Sequence, residues 1–293
     1  MTERRRLVKV PGSSANLGPG YDVLAAAVGI HLELEVAETG GELAVDTGGL
    51  DVPADRSNLC VRAFESLHAA DGLSFRIRSE IPLARGLGSS AAAIVAGLFA
   101  ADHLYELALE PSELLARAAE LEGHPDNVAA SIYGGFVVCG EEGGRPVAAR
   151  FEPPAELEAI AVIPREALST EEARAAIPGE LPRAEAIANI AAASTLVLGL
   201  TGGDLDLVRR GLRDRIHQQR RSSLYPRSFD LIECAEALGA LGATISGAGP
   251  TVLVWTLLGD SGKVSESLKE EVAGWADVRR LTFEPQGADV PEL

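Results

Sequence analysis

The 293-residue sequence predicts an α+β protein, with strands and helices mixed irregularly rather than as a βαβαβ series. Three observations carry this. Residues 31–36 alternate His31, Glu33 and Glu35 with Leu32, Leu34 and Val36, the period-two pattern of a strand with one wet face. Residues 90–107 form a proline-free, Ala-rich run of helical length behind a Gly-Ser loop. Residues 242–258 are two apolar runs joined by a Gly-rich turn, which reads as a pair of strands.

Taken in order, 6–38 reads as strand, Gly-rich loop, short apolar segment and strand, and 42–48 continues the strand pattern. Residues 58–72 are an amphipathic helix ending near Gly72. A strand over 73–79 leads into the loop at 82–93 and the long helix. Pro111 starts a helix over 112–122, stopped by Gly123, and 133–140 reads as a strand. Turn-rich stretches at 140–146 and 152–156 put a domain boundary near 155, dividing the chain into 1–155 and 156–293. Beyond it come a strand at 159–164, several helices, the paired strands of 242–258, a helix near 261–274 and a strand near 277–283.

Composition narrows the function classes. Hydrophobic residues make up 46% but aromatics only 4%, so the cores are built from Ala, Leu, Val and Ile. The net charge of −17 argues against general nucleic-acid binding, which needs a basic surface. Any phosphate ligand must therefore meet local positive potential from backbone amides, a metal and a few arginines. Cys60, Cys139 and Cys234 are too scattered for a zinc site or a disulfide framework. The N-terminus lacks the apolar core of a secretory signal, and 186–200 is short and polar for a membrane span. A soluble cytoplasmic protein with a small-molecule substrate is expected, with no nucleic-acid or membrane partner.

The segment PLARGLGSSAAA at 82–93 lies between a strand and a helix, with Gly86 and Gly88 allowing a tight turn and close ligand approach. Helix N-terminal N–H groups behind such a loop make a phosphate site. It is no Walker A loop; the nearest approach, GDSGKVS at 259–265, has the wrong glycine spacing and Val264 after Lys263. Gly86, Gly88 and Ala91 do meet the G-x-G-x-x-[GA] dinucleotide fingerprint, so an oxidoreductase competes. The acidic residue that the fingerprint wants has only Asp102, inside the long helix, and the following parallel strand is missing. Two further Gly-rich segments, PGSSANLGPGYD at 11–22 and ISGAGPT at 245–251, would each pass singly as an ordinary tight turn.

Together, the three segments resemble the superfamily named for galactokinase, homoserine kinase, mevalonate kinase and phosphomevalonate kinase, in order and separation, over nearly the whole chain. SANLGPGYD and EGHPDNVAASIYGG (122–135) look most like the homoserine kinase family within it. The resemblance implies a ribosomal-S5-like N-terminal domain that binds ATP and a ferredoxin-like C-terminal domain. It implies MgATP, phosphorylation of the L-homoserine hydroxyl to O-phospho-L-homoserine on the way to threonine, and suggests a homodimer. Alternatives are a related small-molecule kinase with another alcohol or phosphate-ester acceptor, and a non-catalytic nucleotide-binding relative.

The same resemblance assigns residues. Pro82, Leu83, Ala84, Arg85, Gly86, Leu87, Gly88, Ser89, Ser90, Ala91 and Ala92 would surround ATP, with Asn58 near the adenine; a helix N-cap is the plain alternative for Asn58. Ser90 and Glu120 match the Mg²⁺ positions, although spacing alone makes Glu120 a solvated helix residue. Asp22, helped by Asn16, would meet the homoserine ammonium, and Arg174 and Arg221 its carboxylate. Thr170, His124, Asn127 and Gly247 complete the substrate positions. Arg220 rivals Arg221, because the family's Pro-Tyr before that arginine is Gln219-Arg220 here. Ser169 and Glu172 form a capping-box pattern that puts Thr170 and Arg174 on one helix face. Glu120 and Asn127 are the expected catalytic pair. Asn127 would orient the hydroxyl, since an amide cannot act as a general base at neutral pH.

Overall fold

The computed structural model describes residues 4–291. Strand β1 (Arg5–Ala15) runs antiparallel to β2 (Leu24–Glu38), a single 15-residue strand where the sequence reads as two pieces. After β3 (Ala44–Asp46), α1 (Leu59–Glu65) is shorter than the expected 58–72. β4 (Leu73–Ser79) leads to α2 (Ser89–Tyr105), α3 (Pro111–Glu122) and α4 (Asp126–Tyr133). The last has no counterpart in the sequence pattern: its eight residues are too few to show a helical period, and 133–140 reads as strand. The strand starts later, as β5 (Phe136–Glu142), and pairs with β6 (Arg145–Phe151).

β1 covers one edge of β2 along its length, so β4 and β5 share the other, pairing with residues 32–38 and 24–26 respectively. Only β3–β4 is a parallel pair in this sheet. A doubly wound dinucleotide fold is therefore excluded, and with it the dinucleotide reading of the 82–93 loop. Helices α2 and α4 pack on β1 and β2, with α1 and α3 against α2.

The second sheet begins at β7 (Leu157–Pro164). Helices α5 (Thr170–Ala175), α6 (Arg183–Gly202), α7 (Leu205–Gly211) and α8 (Pro226–Cys234) follow, then β8 (Gly242–Ile245), β9 (Val252–Leu257), α9 (Ser261–Glu271) and β10 (Ala276–Leu281). The strands lie in the antiparallel order β10-β7-β9-β8, a ferredoxin-like plait with extra helices in its first crossover. Every residue of β7 is buried, and the period of two explains why. Leu157, Ala159, Ala161 and Ile163 face the core shared with the first sheet, whereas Ile160 and Val162 face a second core under α8 and α9.

At the seam between the sheets Phe136, Trp255 and Phe283 pack ring to ring, with centroids 4.7–6.1 Å apart. Truncating such a buried ring costs about 3–5 kcal/mol. Residues 186–200 read as short and polar for a membrane span, but α6 extends to 20 residues and is the one described helix long and apolar enough to cross a membrane. Asn189, Leu196, Gly199 and Leu200 are buried, and 22% of its apolar window is.

A division at 155 does not hold for the chain's end. Residues 282–290 return to the first sheet: Glu284 N donates to Ala27 O, Gly135 N to Glu284 O, Ala288 N to Ser131 O, and Lys9 and Asp289 exchange backbone bonds. This strap lies across the C-terminal end of α4, and the helix carries site residues at its other end.

Candidate active site

The three Gly-rich loops, far apart in sequence, are hydrogen-bonded to one another at the seam. Ser13 N donates to Leu87 O (3.1 Å) and Gly247 N to Ala15 O (3.0 Å). Ser246 Oγ donates to Gly86 O (2.6 Å) and lies 2.8 Å from Ser14 Oγ. Glycine is required where they meet. Gly86 (φ +78°) would place a Cβ 2.3 Å from Ser246 O, and Gly88 (φ +71°) one 2.1 Å from Ser13 Oγ. The N-cap of α2 is Gly88, which offers no side-chain cap, so the N–H groups of the first turn are left for a ligand.

A cavity of about 280 Å³ opens in front of this turn. Of the expected ATP loop, Ala84, Gly86, Gly88, Ser89 and Ser90 line it. Leu87, Ala91 and Ala92 are buried in the core instead, and Pro82 and Leu83 lead in half-buried. Arg85 turns away and donates to the carbonyls of Pro164 (2.9 Å) and Arg165 (2.5 Å), tying the loop to the end of β7. Asn58 is spent as the N-cap of α1: its Oδ1 accepts from Cys60 N and its Nδ2 donates to Pro53 O. It does not line the cavity.

Glu120 is a correction. It is exposed on α3 and does not line the cavity; the carboxylate facing Ser90 is Glu122, whose Oε1 accepts from Ser90 Oγ at 2.5 Å. The physical reason is helical period. Leu114 and Ala118 are the buried face of α3, and Glu122 continues that face at i+4, whereas Glu120 is turned away by two residues. The amphipathic pattern held this signal, and Glu122 heads the segment 122–135 already singled out. Burial raises the Glu122 pKa, and the Ser90 hydroxyl and His124 only partly offset it.

α4 presents Asp126 and Asn127 from its first turn. Asp126 is 1% exposed; its Oδ1 accepts from His124 Nδ1 (2.6 Å) and from Asn127 N (2.7 Å). Burial disfavours the His124 cation, yet the bond to Asp126 and the charges of Asp126 and Glu122 outweigh it and raise its pKa. Asn127 Oδ1 accepts from Ser13 Oγ (2.8 Å), which fixes the amide and turns its Nδ2 group away from Ser13.

The far end of the cavity is ionic. Arg174 holds Asp22 through two bonds of 2.8 and 3.0 Å, with both side chains about a third exposed. Thr170 is at the cavity from the first turn of α5, one helical turn before Arg174, and Ser169 caps that helix through Glu172 N. Asn16 bridges two motifs: its Oδ1 accepts from Asp22 N and its Nδ2 donates to Gly247 O. Arg221 is 1% exposed and lines the cavity, while its rival Arg220 pairs with Glu185 away from it. Tyr21, which sequence reasoning missed, lies between the two cavity arginines, with ring centroid 5.8 Å from Arg174 and 5.4 Å from Arg221.

Residues 58–135 match the family model for the GHMP kinases N terminal domain, and residues 186–274 match GHMP kinases C terminal. The chain is 42% identical to the homoserine kinase of Deinococcus radiodurans, covering 84% of this chain and 82% of the relative. It is 38% identical to that of Streptomyces avermitilis, covering 98% and 95%. Among solved structures, homoserine kinase from Cytophaga hutchinsonii superposes with a TM-score of 0.89 at 30% identity, covering 99% of this chain and 98% of that one. L. major mevalonate kinase, at 19% identity and a TM-score of 0.70, shares the fold.

Proposed function

The chain belongs to the homoserine kinases within the GHMP kinase family, and we infer that it phosphorylates the side-chain hydroxyl of L-homoserine with ATP. The product is O-phospho-L-homoserine, on the route to threonine. One observation carries the site-level reading: three remote glycine loops close around a single cavity with an uncapped helix N-terminus at one end and paired ionic groups at the other.

The N–H groups of the first turn of α2 would hold the phosphates of ATP. Ser90 and Glu122 are hard oxygen donors beside that turn, a set that suits Mg²⁺, which takes one or two protein oxygens plus phosphate and water. Among the described residues no cluster of three or more His, Cys, Asp or Glu forms a cage for a more demanding metal. Mg²⁺ held there would neutralise charge on the transferring phosphoryl group. Asn127 Nδ2 would donate to the acceptor hydroxyl oxygen and aim a lone pair at phosphorus. As the hydroxyl oxygen bonds to the γ-phosphorus the bond to ADP would break and the hydroxyl proton pass to an oxygen of the transferred phosphoryl group, so no side chain fully deprotonates homoserine in this scheme.

Homoserine carries an ammonium and a carboxylate. It would enter the Asp22–Arg174 pair, exchanging one ion pair for three: Asp22 with the ammonium, and Arg174 and Arg221 each with the carboxylate. His124 and Thr170 flank this end, and Asn16 and Gly247 frame it through the Asn16 bond. A soluble cytoplasmic homodimer completes the proposal. Ile187, Ile190 and Leu198 of α6 are at least 60% exposed within an 18-residue stretch, 186–203, free of charged side chains in a chain of net charge −17. That face would meet a second copy without repulsion; Ile190→Arg is expected to yield a monomer by light scattering.

The decisive assay is coupled ADP release over a panel of alcohols. L-homoserine is expected to give the highest kcat/KM; no homoserine-dependent ADP release would sink the assignment.

A further inference from the structure

Arg221 is a buried cation without an anionic partner in the structure. Its Nε donates to Ala173 O (2.8 Å), and its Nη1 is shared between Gly247 O (3.3 Å) and His217 Nδ1 (3.2 Å). Among the described residues it joins no ion pair, although a charge buried to this degree is normally compensated. The Tyr21 ring covers one side of the guanidinium. The donors of Arg221 that face the cavity are therefore aimed by neutral groups.

His217 is the informative member of this set. It is fully buried in the turn after α7, and its Nε2 lies 2.9 Å from the carbonyl oxygen of Gly18. A carbonyl only accepts, so Nε2 carries the proton and Nδ1 presents its lone pair to Arg221. A proton on Nδ1 would place two N–H groups, both cationic, 3.2 Å apart. Asp214, the nearest carboxylate to the ring at 4.0 Å, is occupied by the backbone N–H groups of Ile216, His217 and Gln218. Burial also lowers the His217 pKa, which agrees with a neutral ring. Simple packing would use the Gly18 bond alone; the lone pair on Arg221 is additional.

We propose that His217 is a positioning residue for acceptor specificity: as the neutral Nε2–H tautomer it locks the Arg221 guanidinium in the plane that receives the substrate carboxylate. This rests on the reading that Arg221 meets that carboxylate. His217 bridges the 11–22 loop, through Gly18, to the arginine bound to the 245–251 loop, so the carboxylate fork is set relative to both loops.

The experiment compares L-homoserine with 3-aminopropan-1-ol, the same acceptor without its carboxylate. His217→Gln keeps a donor within reach of Gly18 but loses the acceptor for Arg221; His217→Asn does the reverse. His217→Gln is expected to raise KM for L-homoserine by about 10-fold to 100-fold, the size of a lost hydrogen bond to a charged group. KM for ATP, and kcat/KM for 3-aminopropan-1-ol, should stay within about threefold. His217→Asn should retain most of the preference for the carboxylate. If both variants lose activity equally on both acceptors, His217 is structural only and the proposal is overturned. A wild-type enzyme that uses both acceptors equally overturns the carboxylate reading and the proposal with it. Independently of either variant's folding, ¹⁵N-histidine spectra of the wild-type protein at pH 7 should show bare Nδ1 and protonated Nε2 for His217. A proton on Nδ1 excludes the proposal.

Discussion

The two ends of the cavity are built in opposite ways. The phosphate end is mostly backbone: Gly86 presses against the 245–251 loop and Gly88 against the 11–22 loop, and an uncapped helix turn supplies the donors. The acceptor end is mostly side chain, with Asp22 meeting Arg174, 152 positions away in the chain, and Arg221, further away still. Rigid backbone suits a ligand group common to many kinases. Aimed side chains suit the one ligand that must be told from other alcohols.

Measurements at four residues, Glu122, Gly86, Asp126 and His124, would break or sharpen that contrast. The largest effect is expected at Glu122, the main side-chain contribution to the phosphate end. Glu122→Gln should lower kcat/KM by about 10²–10³-fold, the scale of removing one group that stabilises transferring charge, while Glu120→Gln stays within about twofold. Equal effects would return the metal to an unassigned position. The same substitution should stabilise the fold. Because the pKa of Glu122 is raised by burial, the native state holds that proton more tightly than the unfolded chain does. The resulting stability is present below the unfolded carboxyl pKa, about 4.3, and is lost as pH rises through the folded value. Glu122→Gln should therefore melt above the wild type at pH 8, the gap closing in acid.

Gly86→Ala tests the backbone end next. Its Cβ would sit 2.3 Å from Ser246 O and 2.9 Å from Gly249 O at positive φ. A loss of about 2–4 kcal/mol in urea unfolding is expected, with KM for ATP rising more than KM for homoserine. Asp126→Asn should reduce turnover by about tenfold, as lost hydrogen bonding displaces His124 and Asn127 together. A far larger loss of turnover at unchanged homoserine affinity would instead identify Asp126 as a catalytic base. The smallest effect belongs to His124. Its raised pKa means that its stabilisation is complete below about pH 6.5, the unfolded value, and lost as pH rises through the folded one. Melting curves from pH 6 to 9 should show a decline on the order of 1 kcal/mol that His124→Gln lacks.

The same contrast governs how much could be read from the chain. The three loops were legible because each concentrates glycine and small residues between apolar runs, and β7, β8 and β9 because their apolar residues are contiguous. Asp22, Arg174 and Arg221 could be named only through resemblance, since no spacing links Asp22 to residues 152 or more positions away. Glu122 was within reach: Leu114, Ala118 and Glu122 share a helix face that the pattern displays. α4 was not, being two turns long, and the role of 282–290 was hidden because EPQGADV reads as a polar turn whatever it packs against.

That strap also orders events in time. A ribosome makes the strands of the first sheet before it makes residues 282–290, so the backbone groups that join the strap to Ala27, Ser131 and Gly135 must wait for this later stretch of the message to be read. The helix that carries Asp126 and Asn127 is then anchored by a segment made long after it. A transcript broken off before codon 282 would encode all three glycine loops and both arginines, and still omit the clasp behind the site.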